Sequence, residues 1–300
     1  MPLGLPPRGY GQPDIISDRL TFMSLPAPLS ATGGRVLQAI IDAPSDTLIA
    51  TDFDGTLAPI VDDPAQAYAD PRAVAGLGRL GEHVGAIAVI TGRPAPAVVD
   101  LGRFREVAGL GSMIVLGQYG VERWNAIDDK FILPPDPPQI RAVAEELPGT
   151  LDSRGLADAR IEYKGRALAV HTRLLPDPSE AFAKLKEPLG ELAARHGLMS
   201  EPGKNVWEIR APGVDKGAAL RAIVAETSAR QVVFAGDDLG DLPAFRAVRE
   251  LAAAGVSGLL ICSASSEEDS LSELADVIVD GPSGLAEWLN VLAERLAGSS

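Results

Sequence analysis

The stretch Thr47-Leu-Ile-Ala-Thr-Asp52-Phe53-Asp54-Gly55-Thr56-Leu57 places the tightest limit on what this chain can fold into. A continuous apolar run that stops at Asp-x-Asp-Gly reads as a buried strand giving way to a loop. Residues i and i+2 of a strand point the same way. Asp52 and Asp54 are therefore expected on one face, where the strand ends. Two carboxylates that close repel each other and hold protons more tightly. A cation between them removes the conflict, and carboxylate oxygens with water suit a hard ion such as Mg²⁺.

Similar apolar runs recur at residues 85–90, 113–116, 231–236, 256–262 and 277–279. Helical segments separate them. Residues 36–43 form a short candidate helix. Pro71 sits at a first helical position with Asp70 as its N-cap. Pro94 opens another helix, and Asp215-Lys216-Gly217 begins one more. Strands alternating with helices imply an α/β fold whose parallel sheet is covered on both faces. The style changes in the middle. Residues 124–138 carry Asp128-Asp129-Lys130 and a proline cluster. Beyond them come alternating strands at 160–164, 167–173 and 198–210, with helices at 139–152 and 179–196. Such alternation suggests an antiparallel sheet with one open face. The division expected is a loose N-terminal arm at 1–33, a core from 34–116 and 213–300, and an inserted layer at 117–212.

Charge and composition narrow the function. A net charge of −14 over 300 residues argues against nucleic-acid or anionic-membrane partners. The single cysteine, Cys262, lies in an apolar run and reads as a buried core residue. His83, His171 and His196 have no metal-ligand spacing, which speaks against zinc. No run of 18 apolar residues and no signal-like leader is present, so a cytoplasmic location is expected; the sequence leaves the oligomeric state open, with a monomer as the expectation.

In open α/β sheets the ligand sits outside the carboxyl ends of the strands. The endings here carry Asp52 and Asp54, Thr91, and Asp237, Asp238 and Asp241, with Lys216 at a helix start. Acids, a hydroxyl and an ammonium are the groups that move a phosphoryl group. Alone, Thr91 reads as a helix-start turn and Lys216 as a solvated helix end. In chain order, Asp52-Phe-Asp-Gly-Thr, Thr91, Lys216 and Gly236-Asp-Asp-Leu-Gly-Asp241 resemble the four motifs of the haloacid dehalogenase superfamily. Thr91-Gly92-Arg93, Gly117-Gln-Tyr-Gly120, Glu162-Tyr-Lys164, Ala169-Val-His-Thr-Arg173, and Glu201-Pro-Gly-Lys204 continuing to Glu208-Ile-Arg210 narrow the resemblance to trehalose-6-phosphate phosphatases.

That resemblance implies a Rossmann-like core with an α/β cap inserted before the Lys motif. Asp52 would be the nucleophile and Asp54 the general acid and base. Mg²⁺ would be held by Asp52, Asp237 and the Asp54 backbone carbonyl, supported by Asp238 and Asp241. Thr91, Gly92 and Lys216 would grip phosphate. Arg93, Tyr119, Gly120, Glu162, Lys164, Glu201, Lys204 and Glu208 would meet the sugar. His171 and Arg173 read as structural. The family usually writes Gly-Asp-Asp-x-Thr-Asp-Glu at its fourth motif; here Gly240 and Leu242 replace the Thr and Glu. The implied activity is Mg²⁺-dependent hydrolysis of trehalose 6-phosphate. The alternatives are another sugar phosphate as substrate, or a catalytically silent sensor.

Overall fold

The computed structural model describes residues 25–203, 205–212, 215–264 and 271–298. In chain order its elements are α1 (Ala31–Asp42), β1 (Thr47–Thr51), α2 (Pro71–Leu80), β2 (Ala86–Ile90), α3 (Ala95–Gly102), β3 (Ile114–Gly117), β4 (Glu122–Asn125), β5 (Lys130–Ile132), α4 (Pro138–Asp152), β6 (Arg160–Tyr163), β7 (Ala167–His171), α5 (Pro178–Arg195), β8 (Met199–Gly203), β9 (Val206–Arg210), α6 (Lys216–Thr227), β10 (Gln231–Gly236), α7 (Leu242–Ala253), β11 (Ser257–Ala264), β12 (Val277–Asp280) and α8 (Gly281–Gly298).

The large sheet has the order β12-β11-β10-β1-β2-β3-β4-β5. β1 pairs in parallel with both β10 and β2. The chain leaves β1 toward β2 and β3 on one side and later returns to β10 and β11 on the other. Strand order thus reverses at β1, and that reversal opens a crevice at the carboxyl ends of the strands. All five β1 residues are buried. Leu48 and Ala50 pack with Leu220 of α6 and Phe245 of α7. Ile49 packs with Leu77 of α2 and Trp288 of α8. A fully buried Leu or Ile contributes roughly 1.5–3 kcal/mol, so the strand that ends in Asp52 is anchored from both faces. Asp70 caps α2 through the Arg72 amide at 2.8 Å, with Pro71 at the first helical position.

The second sheet is antiparallel, in the order β6-β7-β9-β8. Leu168 and Val170 of β7 and Trp207 and Ile209 of β9 pack against Ile140 and Leu147 of α4 and Leu185 and Leu189 of α5. The register places Glu162, Ala169, Glu208 and Glu201 in one row across all four strands, on the opposite face.

Two expectations change. The inserted layer does not begin at 117: β4 and β5 extend the large sheet by antiparallel pairing with β3. Their partial burial gives an edge-strand alternation that resembles the second sheet. The separate layer starts with α4, after the proline cluster. Of the arm expected at 1–33, residues 1–24 lie outside the described residues. From Leu25 the chain packs on the core: Leu25 is buried, the Leu29 amide donates to the Asp276 carbonyl, and α1 already starts at Ala31.

Candidate active site

Asp52 follows β1 directly and is buried. Asp237 follows β10, the neighbouring strand. Between them the chain turns at Gly55, whose φ is +73°. A Cβ there would stand 1.9 Å from Asp237 Oδ2. Glycine at 55 thus allows both the left-handed turn and the close approach of Asp237. Thr56 Oγ1 donates to Asp237 Oδ1 at 3.3 Å. Ser263, at the end of β11, donates to the Gly55 carbonyl at 2.8 Å and is fully buried. Ser263 escaped sequence reasoning, although its place at a strand end beside Cys262 was visible.

Lys216 opens α6, which is capped by Asp215. Its Nζ lies 2.8 Å from Asp52 Oδ1 and 2.7 Å from Asp241 Oδ1. Asp241 Oδ2 accepts the amides of Asp237 and Asp238 at 3.0 and 3.3 Å. Asp238 accepts the Gly240 amide at 2.9 Å. These local bonds hold the three acids in place without the missing Thr and Glu of the fourth motif. Both oxygens of Asp241 are thereby used inside the protein, which suits a brace better than a metal ligand.

Ligand oxygens of Asp52, Asp237, Asp238 and Asp241 lie within 4.8 Å of one another. Burial pushes the Asp52 carboxyl well above the usual range; Asp241 adds to the rise and Lys216 opposes it. Burial, with Asp241 and Asp238, pushes Asp237 up to about 8. Burial alone would lower the Lys216 ammonium, but Asp241 and Asp52 outweigh it and hold it well above its usual range. Four acids sharing one ammonium, with carboxylate oxygens as donors, fit a hard divalent cation.

Asp54 departs from the expected placement. β1 ends at Thr51, so strand alternation does not carry through to 54, and the Asp54 carboxylate lies outside the acidic cluster. It accepts Arg93 Nε and Nη2, both at 2.6 Å. Arg93 Nη1 donates to the Pro64 carbonyl at 2.7 Å. Arg93 thus binds the core rather than facing a sugar alone.

The β2–α3 turn carries Thr91, Gly92 and Arg93. Thr91 is buried, its Oγ1 accepts the Arg93 amide, and the α3 amide of Ala95 donates to the Glu122 carboxylate of β4 at 2.7 Å. Over this turn lies Tyr119, with φ +60°, followed by Gly120 at φ +98°. A Cβ on Gly92 would meet the Tyr119 hydroxyl at 2.8 Å. That hydroxyl donates to Glu208 Oε2 of the second sheet at 2.6 Å. Burial and then Glu208 push its ionisation well above the usual range, so it stays a donor.

In the second sheet, Glu208 Oε1 has Lys164 Nζ at 3.8 Å and accepts no hydrogen bond. Glu201 pairs with Arg210 at 2.6 Å, and Arg210 lies over the Tyr119 ring at 4.5 Å. Glu162 pairs with His171 at 2.8 Å, which gives the structural reading of His171 a partner. Lys204 lies outside the described residues. The Gln118 amide group donates to the Lys164 carbonyl at 3.1 Å, a second tie between the two layers.

The trehalose-phosphatase family model matches residues 50–277. The chain belongs to the trehalose-phosphatase family. Trehalose-6-phosphate phosphatase of Escherichia coli strain K12 is 31% identical over 210 residues, 67% of this chain and 73% of that protein. Trehalose-phosphate phosphatase of Mycobacterium marinum is 28% identical over 262 residues, and the match spans 61% of that longer protein. Among solved structures, the C-terminal domain of C. albicans trehalose-6-phosphate phosphatase superimposes with a TM-score of 0.71, covering 90% of this chain and 98% of that one, at 20% identity. A haloacid dehalogenase-like hydrolase from Bacteroides thetaiotaomicron gives 0.55 at 18% identity. These two show the fold, which is the α/β core with a cap that the motifs implied. The family assignment makes this trehalose-phosphatase family member a phosphatase and hydrolase. Among its described residues no helix is long and apolar enough to cross a membrane.

Proposed function

We propose that the enzyme hydrolyses trehalose 6-phosphate through an aspartyl-phosphate on Asp52. One observation carries the reading. Asp52 is buried at the switch point of the sheet, 2.8 Å from Lys216, and Tyr119, just past the end of β3, is hydrogen-bonded to Glu208, in one row with Glu162 and Glu201 on the second sheet. The Thr91 hydroxyl and Lys216 grip the phosphate, and Lys216 exchanges part of its pairing with Asp52 for phosphate oxygens. An Asp52 oxygen attacks phosphorus in line with the departing sugar oxygen. Asp54 gives that oxygen its proton, then takes a proton from the water that attacks the aspartyl-phosphate. Phosphate leaves, and Asp52 is restored.

Asp52, Asp237 and Asp238, with the Asp54 backbone carbonyl, are the groups that would hold Mg²⁺, and Asp241 would brace them. Bound there, Mg²⁺ neutralises phosphate oxygens and orients the group for transfer. Residues 138–212 act as the cap. Glu162, Lys164, Glu201 and Glu208, each already paired, exchange those partners for sugar hydroxyls, which need both donors and acceptors. Lys164, Lys204, Glu162, Glu201 and Glu208 are the candidates, with Tyr119 and Gly120 on the core side. The substrate is a soluble sugar phosphate, which fits action in the cytoplasm, and the net charge of −14 disfavours a nucleic-acid partner.

Phosphate release across a panel of sugar phosphates tests the reading. The expected result is a kcat/KM for trehalose 6-phosphate at least about tenfold above those for glucose 6-phosphate and other monosaccharide phosphates. A tenfold ratio needs only about 1.4 kcal/mol of discrimination. Equal rates across the panel would assign the chain another substrate. Binding of trehalose 6-phosphate without turnover would favour the sensor alternative.

A further inference from the structure

The two carboxylates beside Phe53 have different cations. Asp52 has Lys216. Asp54 has Arg93, and the pair is a two-pronged fork: Nε to Oδ2 and Nη2 to Oδ1, each 2.6 Å. The guanidinium is itself fixed from several sides. Nη1 is tied to the Pro64 carbonyl at 2.7 Å. The Phe53 ring lies beneath it, 5.8 Å from ring centre to guanidinium carbon. The Arg93 backbone is pinned by the Thr91 hydroxyl on one side and the Gln118 amide on the other. The Arg93 side chain is 15% exposed, whereas that of Asp54 is 38% exposed.

An arginine suits this place for a chemical reason. Its planar fork fixes both the position and the plane of a carboxylate, which a lysine point charge does not. It stays protonated throughout, so it takes no proton from Asp54; when Asp54 carries the proton one prong opens, and the other still fixes the carboxyl group. Three of its five N–H groups are spent within the core.

We propose that Arg93 is a positioning residue for proton transfer by Asp54, and not chiefly a grip on the sugar. This rests on the reading of Asp54 as general acid and base. A carboxylate on a turn, without its fork, would swing away from the line between phosphorus and the leaving oxygen. Misplacement by about 1 Å costs on the order of 10²-fold. The cost falls only on reactions that need the proton. A sugar alkoxide must be protonated as it leaves, whereas p-nitrophenolate is a good leaving group without it.

The test measures kcat/KM, which reports steps up to departure of the leaving group, for trehalose 6-phosphate and for aryl phosphates of graded leaving-group ability. The variants are Arg93→Ala, Arg93→Lys, Asp54→Asn and the Arg93→Ala/Asp54→Asn double variant. Arg93→Ala is expected to lose about 10²-fold on trehalose 6-phosphate. Its loss on p-nitrophenyl phosphate should be at least tenfold smaller, so that the rate becomes steeper in leaving-group ability. Arg93→Lys keeps the charge but not the fork, and should recover only part. The double variant should be little worse than Asp54→Asn, because the two residues act as one unit. Equal losses by Arg93→Ala on both substrates would mark a purely structural role and overturn the proposal. So would losses that multiply in the double variant, which would mark an independent contact to substrate. A separate outcome tests the underlying reading. If Asp54→Asn itself leaves the leaving-group dependence unchanged, Asp54 is not the acid, whatever Arg93 does.

Discussion

Core and cap treat charge in opposite ways. At the core strand ends, Asp52, Asp237, Asp238 and Asp241 crowd within 4.8 Å around a single ammonium. On the cap sheet each acid has its own partner: Glu162 with His171, Glu201 with Arg210, Glu208 with Tyr119 and Lys164. Burial sharpens the contrast. Asp52, Asp237 and Asp241 are buried, whereas Glu162 and Glu201 keep part of their side chains in solvent. An uncompensated buried cluster is costly until a cation arrives, which suits a centre for binding a metal and moving phosphate. A set of paired, half-buried charges can trade partners at little cost, which suits recognition of hydroxyls.

The largest effect should come from the core. Asp52→Asn is expected to lower phosphate release at least about 10⁴-fold, the scale on which a lost nucleophile is felt, while the circular dichroism spectrum stays unchanged. Near-normal turnover would end the covalent mechanism.

Metal removal comes next. EDTA should silence the enzyme and Mg²⁺ restore it. A second readout is thermal. Mg²⁺ at roughly a hundred times its Kd adds about 2.7 kcal/mol, or about 5 °C in Tm at about 2 °C per kcal/mol. The sign of its pH dependence follows from Asp237, raised from 3.8 to about 8 in the folded chain. Between those values the folded state holds more protons than the unfolded, so cation-free stability falls as pH rises. At one fixed Mg²⁺ concentration the increment in Tm should therefore be larger at pH 8 than at pH 6. Equal increments would place the cation elsewhere.

The third prediction concerns the cap. Glu208→Ala removes a charged hydrogen bond worth roughly 1.5–3 kcal/mol. It should lower kcat/KM for trehalose 6-phosphate by about 10- to 100-fold and that for p-nitrophenyl phosphate much less. Lys216→Ala should lower both. Equal losses for Glu208→Ala would mean that the cap residues support closure in general.

The smallest effect is a pH response of opposite sign. The hydrogen bond from His171 holds Glu162 below its ordinary 4.5, with burial opposing and Lys164 assisting. Its contribution is present above about pH 4.5 and lost as pH falls through the lower folded value. Glu162→Gln should reduce Tm by no more than about 2 °C at pH 6, the scale of a partly exposed pair, and the difference should shrink as pH falls below the ordinary 4.5. A difference that grew on acidification would contradict the assignment.

Legibility in the sequence divides along the same line. The continuous apolar strands were readable because burial on both faces leaves no alternation to confuse. The strand-end acids followed from them. The start of the inserted layer was not readable, since β4, with Trp124 buried and Arg123 partly exposed, alternates as cap strands do. Pairings distant in sequence were equally hidden. Nothing local to Arg93 points to Asp54, 39 residues away, and nothing near Ser263 points to Gly55, 208 residues away. Asp54 stands apart from the acidic cluster because the strand stops at Thr51, so its alternation does not reach residue 54.

The pairing of β1 with β10 has a consequence for how the protein is made. Thr47 and Gln231 are 184 residues apart, yet they are joined across adjacent central strands. Synthesis at about 5–20 residues per second separates their emergence from the ribosome by roughly ten to forty seconds. Through that interval β1 has β2 on one side and a bare edge on the other. The cap, whose four strands and two helices form one contiguous stretch, can complete its own pairing meanwhile. Asp52 is thus among the early residues exposed, and Lys216, Asp237, Asp238 and Asp241, which crowd around it, arrive late, as β10 closes the bare edge. A nascent or prematurely ended chain carries Asp52 but not the chemistry.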